Sequence, residues 1–252
     1  MNMSMRIFTC VIVFILTGAH SFAEDSSSGS GPARHLNIDV DLGTGIMRGH
    51  TTYQIGGEVE YANGAGEDLH FPISELKFPL DVYMASLSAS AEFKERWKIV
   101  INAKKNITDD AGKMEDSDWG YWHDGAELPH KPGYVCNPDY CTSDSLDIYS
   151  ESDAELDALI IDLDFRYRFF NKAFRNTSLS FFAGAGHIYE NFNYEVSDVD
   201  QWYPSYEDYF GVDAGHDKVS GKVLTYDIKY YIPYIKAGTS FAFMDRFDVE
   251  GS

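Results

Sequence analysis

No segment of this 252-residue chain offers the roughly 20 consecutive apolar residues that a membrane-crossing helix requires. A helical membrane protein is excluded on that ground. Basic residues are scarce, 20 Lys and Arg against 40 Asp and Glu, for a formal charge of -20. That balance argues against nucleic acid as a partner, because phosphates demand a basic face. It suits a surface that attracts cationic peptides or proteins, or one that is merely well solvated. Cysteine is scarcer still, at three. Cys10 falls in a leader segment, which leaves Cys136 and Cys141 in the run C-N-P-D-Y-C. In an exported protein a close pair in a loop is most simply a disulfide staple. A metal site is the alternative, but no His or further Cys clusters with the pair. Helix signals are lacking too: no long stretch combines a 3.6-residue period with proper caps.

What is present begins with the leader. Arg6 precedes an apolar run from Ile7 to Leu16, and Ser21-Phe22-Ala23 ends the segment with small-x-small spacing. Residues 1–23 therefore read as a secretory signal cleaved after Ala23. Residues 24–34, which include the run DSSSGSG, read as a flexible mature N-terminus. Residues 35–252 read as one β-domain.

Alternation organises that domain. Ile161, Leu163, Phe165, Tyr167 and Phe169 alternate with Asp162, Asp164, Arg166 and Arg168. In a strand this puts the apolar set on one face and the charges on the other. Leu36 to Leu42, Trp97 to Lys104 and Tyr226 to Tyr234 repeat the pattern. The alternation predicts strands near 35–60, 69–93, 97–107, 154–170, 177–196 and 218–243, with a seventh beginning at Phe247. Short turns fall at 94–96, 171–176 and 244–246. Long polar segments fall at 61–68, 108–152 and 197–218. Short turns at one end and long loops at the other describe an antiparallel transmembrane outer-membrane β-barrel. Its apolar face meets lipid, and its other face carries ion pairs in the lumen. Asp162, Asp164, Arg166, Arg168 and Lys229 are the expected lumen charges. A secreted β-sandwich or lipocalin-like barrel would also alternate, but with shorter strands. A barrel closes on an even strand count and leaves no edge in lipid. Six strands and part of a seventh therefore read as a chain that stops before closure.

The stretch MEDSDWG, residues 114 to 120, carries the chemistry. Asp116 and Asp118, two apart on an extended chain, point to the same side. Like charges so close raise the pKa of one carboxyl, so the pair can share a proton. Such a dyad can hold a water and accept its proton. A D-x-D run also occurs in calcium loops and in solvated turns. This stretch resembles the D-x-D-W segment of omptins, the outer-membrane endopeptidases of Gram-negative bacteria. DVDLGT at 39–44, AGAGHIYENFNY at 183–194 and YIPYIKAGTS at 231–240 are similar to other omptin strands, in the same order.

The resemblance implies a ten-stranded barrel in the bacterial outer membrane, with its active groove at the extracellular rim. It implies that Asp116 and Asp118 form one side of the groove. An Asp–His pair, which the resemblance puts beyond Ser252, would form the other. It implies a protease that hydrolyses peptide bonds of cationic proteins or peptides. No metal or organic cofactor takes part, and lipopolysaccharide serves as activator and partner alongside outer-membrane lipid. His216, in Gly215-His216-Asp217, lies in the wrong loop for the family, and His123, His130 and His187 have no better claim. The family's acidic pocket for a basic side chain is not matched at Gly49-His50-Thr51-Thr52-Tyr53; Glu58 and Glu60 lie further along. Trp119, Tyr121 and Trp122 either line the groove or pack the loop. Glu151, Asp153, Glu155 and Asp157 form either a calcium site or a solvated strand end. Two functions follow from these readings: an omptin-like endopeptidase, or a non-enzymatic barrel of the same lineage acting as an adhesin or structural protein.

Overall fold

The computed structural model describes residues 3–7, 17–18, 36–60, 66–68, 72–122, 135–136, 140–142, 145–174, 177–205, 211, 215–243 and 247–251. Among these, every regular element is a strand. Two short ones come first, β1 (Met3–Ile7) and β2 (Thr17–Gly18). Then follow β3 (Leu36–Met47), β4 (His50–Glu60), β5 (Gly66–Asp68), β6 (Ser74–Pro79) and β7 (Val82–Phe93). Next are β8 (Trp97–Asn106), β9 (Asp110–Asp118), β10 (Gly120–Trp122), β11 (Val135–Cys136) and β12 (Tyr140–Thr142). Three long strands and a short one complete the order: β13 (Ile148–Phe174), β14 (Thr177–Trp202), β15 (Asp217–Phe243) and β16 (Phe247–Gly251).

The pairing is an antiparallel meander. The segment β3–β4 runs beside β6–β7, and that runs beside β8–β9. Strand β13 pairs along its length with β9 and then β8, and β14, β15 and β16 follow in turn. The sheet is not closed: β16 pairs with β15, while β3 and β4 pair with the N-terminal β2 and β1.

Three expected boundaries are corrected. The expected strands near 35–60 and 69–93 are each broken in the middle, at 48–49 and 80–81. The polar segment 108–152 contains β9, with Asp116 and Asp118 in its ladder rather than in a loop. Likewise β14 continues to Trp202, well into the segment expected to be a loop.

The breaks line up across the sheet. The Leu80 N–H donates to the Gly49 carbonyl at 3.0 Å, Ile107 N–H to Tyr83 at 2.8 Å, and Leu156 N–H to Asp109 at 2.7 Å. Gly49 has φ 129, where only glycine is unstrained. Strand β13 shifts register between Glu151 and Asp153, and β14 does so around Ser197. Asp198 has φ 54, and its Oδ1 accepts the Gly221 N–H at 2.9 Å. Such bulges bend strands and increase their twist. The molecule has a lower part, at the short turns, and an upper part, at the long loops; the breaks at 48–49, 80–81 and 107–109 lie level with residues 155–159 of β13, and the register shifts of β13 and β14 lie nearer the long loops.

The inner face of the sheet is continuous through both parts, but its chemistry reverses. In the upper part Ala154, Leu156, Ala158 and Ile160 are buried, and Glu151, Asp153, Glu155 and Asp157 point outward. The buried side chains join Met47, Phe78, Leu80, Met84, Met114, Phe192, Tyr194 and Val196 in one core. Tyr226 of β15 stacks on Phe78 of β6 at 4.7 Å and meets Tyr53 of β4 edge-on at 6.2 Å. The sheet therefore curls until its sixth long strand touches its first two. In the lower part the outer face is apolar: Leu42, Leu87, Ile101, Leu163, Phe165 and Phe241 are exposed, and Ile235 is 89% exposed.

The lower inner face is polar. Arg166 contacts Asp164 at 2.5 Å, Lys236 also pairs with Asp164, and Arg168 contacts Glu92 at 2.8 Å. Asp162 accepts from Tyr234 at 2.9 Å. Lys229, expected in the lumen, is on the outer face and pairs with Asp227 at 2.6 Å. The register explains this: one residue's offset in parity moves a side chain across the sheet. The even-numbered apolar residues of β15, from Tyr226 to Tyr230, turn to the core, and Tyr231, Pro233 and Ile235 take the outer positions.

Candidate functional site

Strand β9 holds Asp116 opposite Leu76 on one side and Ser150 on the other. Asp118 sits opposite Ser74 and Ile148. Directly paired residues share a face of the sheet. Met114, two residues below Asp116, is buried in the core, so both aspartates face inward at its upper end. The strand is held there from both sides, and the Trp119 N–H donates to the Ile73 carbonyl at 3.0 Å.

A third acid completes the site. Asp147 is 4% exposed, and its N–H donates to the Asp118 carbonyl at 2.8 Å. Nothing in the sequence flagged it, because it reaches Asp118 only through the pairing of β13 with β9.

Burial, then the charge of Asp118, pushes the Asp116 carboxyl up to about 7, against a backbone hydrogen bond at Ser117. Burial also raises Asp118; the Ser74 hydroxyl opposes this and the charge of Asp147 adds to it. Asp116 Oδ1 is buried and has no hydrogen-bond partner among the described residues. Near neutral pH the Asp116 carboxyl is thus held close to the midpoint between its two protonation states, where a carboxyl can act as acid or base.

The other candidates lie elsewhere. His216 Nδ1 is 3.1 Å from Asp200, and its ring packs on Trp202 at 4.6 Å. Asp200 pairs with Glu151, and Trp202 with Tyr149, whereas Asp116 pairs with Ser150 between them. Neighbouring residues of one strand point to opposite faces. The Asp200–His216 pair is therefore on the outer face and the dyad on the inner one. His187 is also outward, beside Tyr231 at 6.2 Å. His123 and His130 lie outside the described residues, as do the side chains of Tyr121, Trp122, Glu58 and Glu60. Thr51 and Tyr53 face inward, opposite Phe78 and Leu76. No acid stands at those two positions.

Cys136 and Cys141 are directly opposed across β11 and β12. Their side chains lie outside the described residues. Three of the four acids considered for calcium are engaged otherwise: Lys113 contacts Asp153 at 2.5 Å, Lys105 pairs with Asp157, and the Tyr149 hydroxyl donates to Glu151 at 2.9 Å. Among the described residues no three His, Cys, Asp or Glu side chains are arranged to hold a metal ion, and no helix is long and apolar enough to cross a membrane. No protein-family profile, no curated protein and no solved structure matches the chain.

Proposed function

We propose that this chain is an omptin-like outer-membrane endopeptidase that hydrolyses cationic peptides or proteins at the cell surface. The observation that carries the reading is a pair of inward-facing aspartates, Asp116 and Asp118, both raised by burial, at the upper end of a strand cage whose lower outer face is apolar. The apolar run from Ile161 to Phe169 covers nine residues. At about 3.3 Å per residue it measures roughly 27 Å along the strand. At a tilt of about 40° that gives roughly 20 Å of height, close to the ~25 Å band of an outer-membrane barrel. Asp157, Asn193 and Asp227 form a polar row just above it, where a strand would leave lipid for water.

In this reading Asp116 and Asp118 hold the hydrolytic water; the ionised carboxylate takes its proton as the oxygen attacks the peptide carbonyl, and the protonated carboxyl gives its proton to the departing amine as the C–N bond breaks. The second pair of the omptin groove would come from outside the described residues. The acidic surface draws in cationic chains, and lipopolysaccharide acts as activator by resemblance alone. Removal of residues 1–23 on export would free the β3–β4 edge for closure of the barrel.

A second reading is a non-enzymatic barrel acting as an adhesin or structural protein. The observation that favours it is that His50, His187 and His216, the described histidines, all lie off the dyad's face. One experiment separates the two. The full-length protein is refolded with lipopolysaccharide and given a cationic fluorogenic peptide. Cleavage that disappears in Asp116→Asn and in Asp118→Asn supports the endopeptidase. A refolded barrel that cleaves nothing leaves the second reading, and one that cleaves as well without both aspartates overturns the role given to the dyad.

A further inference from the structure

The three acids at the upper end of the core are not equivalent. Asp116 is the deeper member of the dyad. It lies between buried Met114 and Asp118 on β9, opposite Leu76 and the buried Ser150. The Ser117 backbone donates to its carboxyl, but Oδ1 is buried and meets no donor among the described residues. Burial without donors favours the neutral acid.

Asp118, at the end of the strand, is served differently. The Ser74 hydroxyl, directly across on β6, donates to its carboxyl, which favours the ionised form. Its backbone is fixed from both sides. The Asp118 carbonyl accepts from the Asp147 N–H at 2.8 Å, and the next N–H, of Trp119, donates to the Ile73 carbonyl at 3.0 Å. Asp147 therefore acts on Asp118 twice, through that hydrogen bond and through the charge of a side chain that is 4% exposed. A charge buried so far is little screened by water or salt.

The other groups around Asp118 do not duplicate this charge. Ser74 faces it from β6, Ile148 from β13 and Asp116 from its own strand. Glu75 and Glu115 are on the outer face, with Gln54 and Lys77 as their partners. Asp217 shares the dyad's face but lies three strands from Asp116, beyond Ser150 and Gln201, and accepts from the Tyr203 hydroxyl.

We propose that Asp147 is a positioning residue that makes Asp118 the base of the pair and leaves Asp116 as its acid. The inference rests on the endopeptidase reading and assigns the two roles which that reading leaves open. Asp118 takes the proton of the attacking water, and Asp116 gives its proton to the departing amine. Asp147 touches neither water nor peptide. Its charge makes Asp118 more basic, and its N–H holds the end of β9 so that the two carboxyls keep their spacing.

The test uses the full-length protein refolded with lipopolysaccharide. Cleavage of the cationic fluorogenic peptide is measured against pH for the wild type, Asp147→Asn, Asp147→Glu and Ser74→Ala. Isotope-labelled aspartate carboxyls are titrated by NMR in the same proteins. The acid limb of kcat/KM should follow the Asp118 resonance and the alkaline limb that of Asp116. In Asp147→Asn the Asp118 midpoint and the acid limb should move down together, by roughly half a pH unit or more, while the alkaline limb stays. Asp147→Glu should restore the wild-type profile, and Ser74→Ala should move the acid limb up. A purely structural role for Asp147 would lower the rate at every pH and leave the limbs in place. A wild type that cleaves while the acid limb and the Asp118 resonance stay put in Asp147→Asn overturns the role of Asp147 alone. An acid limb that follows Asp116 overturns the assignment of base and acid. If neither Asp147→Asn nor Asp147→Ser refolds, the residue holds the fold and not the pair, and the proposal falls. A wild type that cleaves nothing defeats the endopeptidase reading and the two roles with it, whatever the resonances do.

Discussion

Asp116→Asn should make the protein more stable while it removes the chemistry. The Asp116 carboxyl is raised from 3.8 to about 7, chiefly by burial and then by Asp118. At 1.36 kcal/mol per tenfold change in acidity, that is roughly 4 kcal/mol against the charged form. The group keeps some contact with water and divides its repulsion with Asp118, so ~2 kcal/mol is the expected size. Below pH 3.8 folded and unfolded chains both carry the proton, and there is no penalty. Between 3.8 and about 7 the unfolded chain has lost the proton and the folded chain retains it. Stability therefore falls as pH rises through that window, and the full penalty remains above it. Asparagine never ionises, so the variant should gain ~2 kcal/mol at pH 8 and almost nothing at pH 3.5. Urea unfolding of the refolded protein in micelles, followed by tryptophan fluorescence, measures both. A smaller slope from Asp118 should persist. If Asp116→Asn is as sensitive to pH as the wild type between 4 and 7, or is less stable at pH 8, the carboxyl is not held as described. The reading of Asp116 as a carboxyl titrating near neutrality then fails.

Three further outcomes follow from the packing. Phe78→Ala removes a fully buried ring stacked on Tyr226 and should cost about 3–5 kcal/mol in urea unfolding, since the cavity adds to the lost transfer energy. Gly186→Ala would put a Cβ 2.2 Å from the Tyr234 ring and 2.7 Å from the Leu163 carbonyl; it should break the Tyr234–Asp162 bond and lower refolding yield, at a cost of about 1–3 kcal/mol. Ile235→Arg, on the lower outer face, should weaken folding into lipid vesicles by about 2–4 kcal/mol, whereas Thr225→Arg, higher on the same strand, should change it little.

Alternation alone marked the two faces of β13, because a strand's period of two needs no knowledge of its neighbours. It marked Asp164 and Arg166 as facing one way and Leu163 and Phe165 the other, which the structure bears out. It also carried the spacing of Asp116 and Asp118. It could not say which face of a strand turns inward where both are apolar. On β15 the sequence offers Tyr230 and Tyr231 equally, and only the contact of Tyr226 with Phe78 decides between them. Nor could it find β9, whose residues Asp110 to Asp118 are polar enough to pass for a loop. They form a strand because β6 and β13 supply ladder partners from 30 and more residues away in the chain, as Lys77↔Glu115 and Ser150↔Asp116 do on either side.

The physical reason for the division is range. Side-chain parity, turn residues and the -20 charge are local or summed properties, and the sequence determined them by itself. The breaks at 48–49, 80–81 and 107–109, the arrival of Asp147 beside Asp118 and the outward position of His216 are set by register between strands. Register is fixed by the joint burial of Met47, Phe78, Met114, Leu156, Tyr194 and Val196, which no single strand contains. Only the tertiary structure decided them.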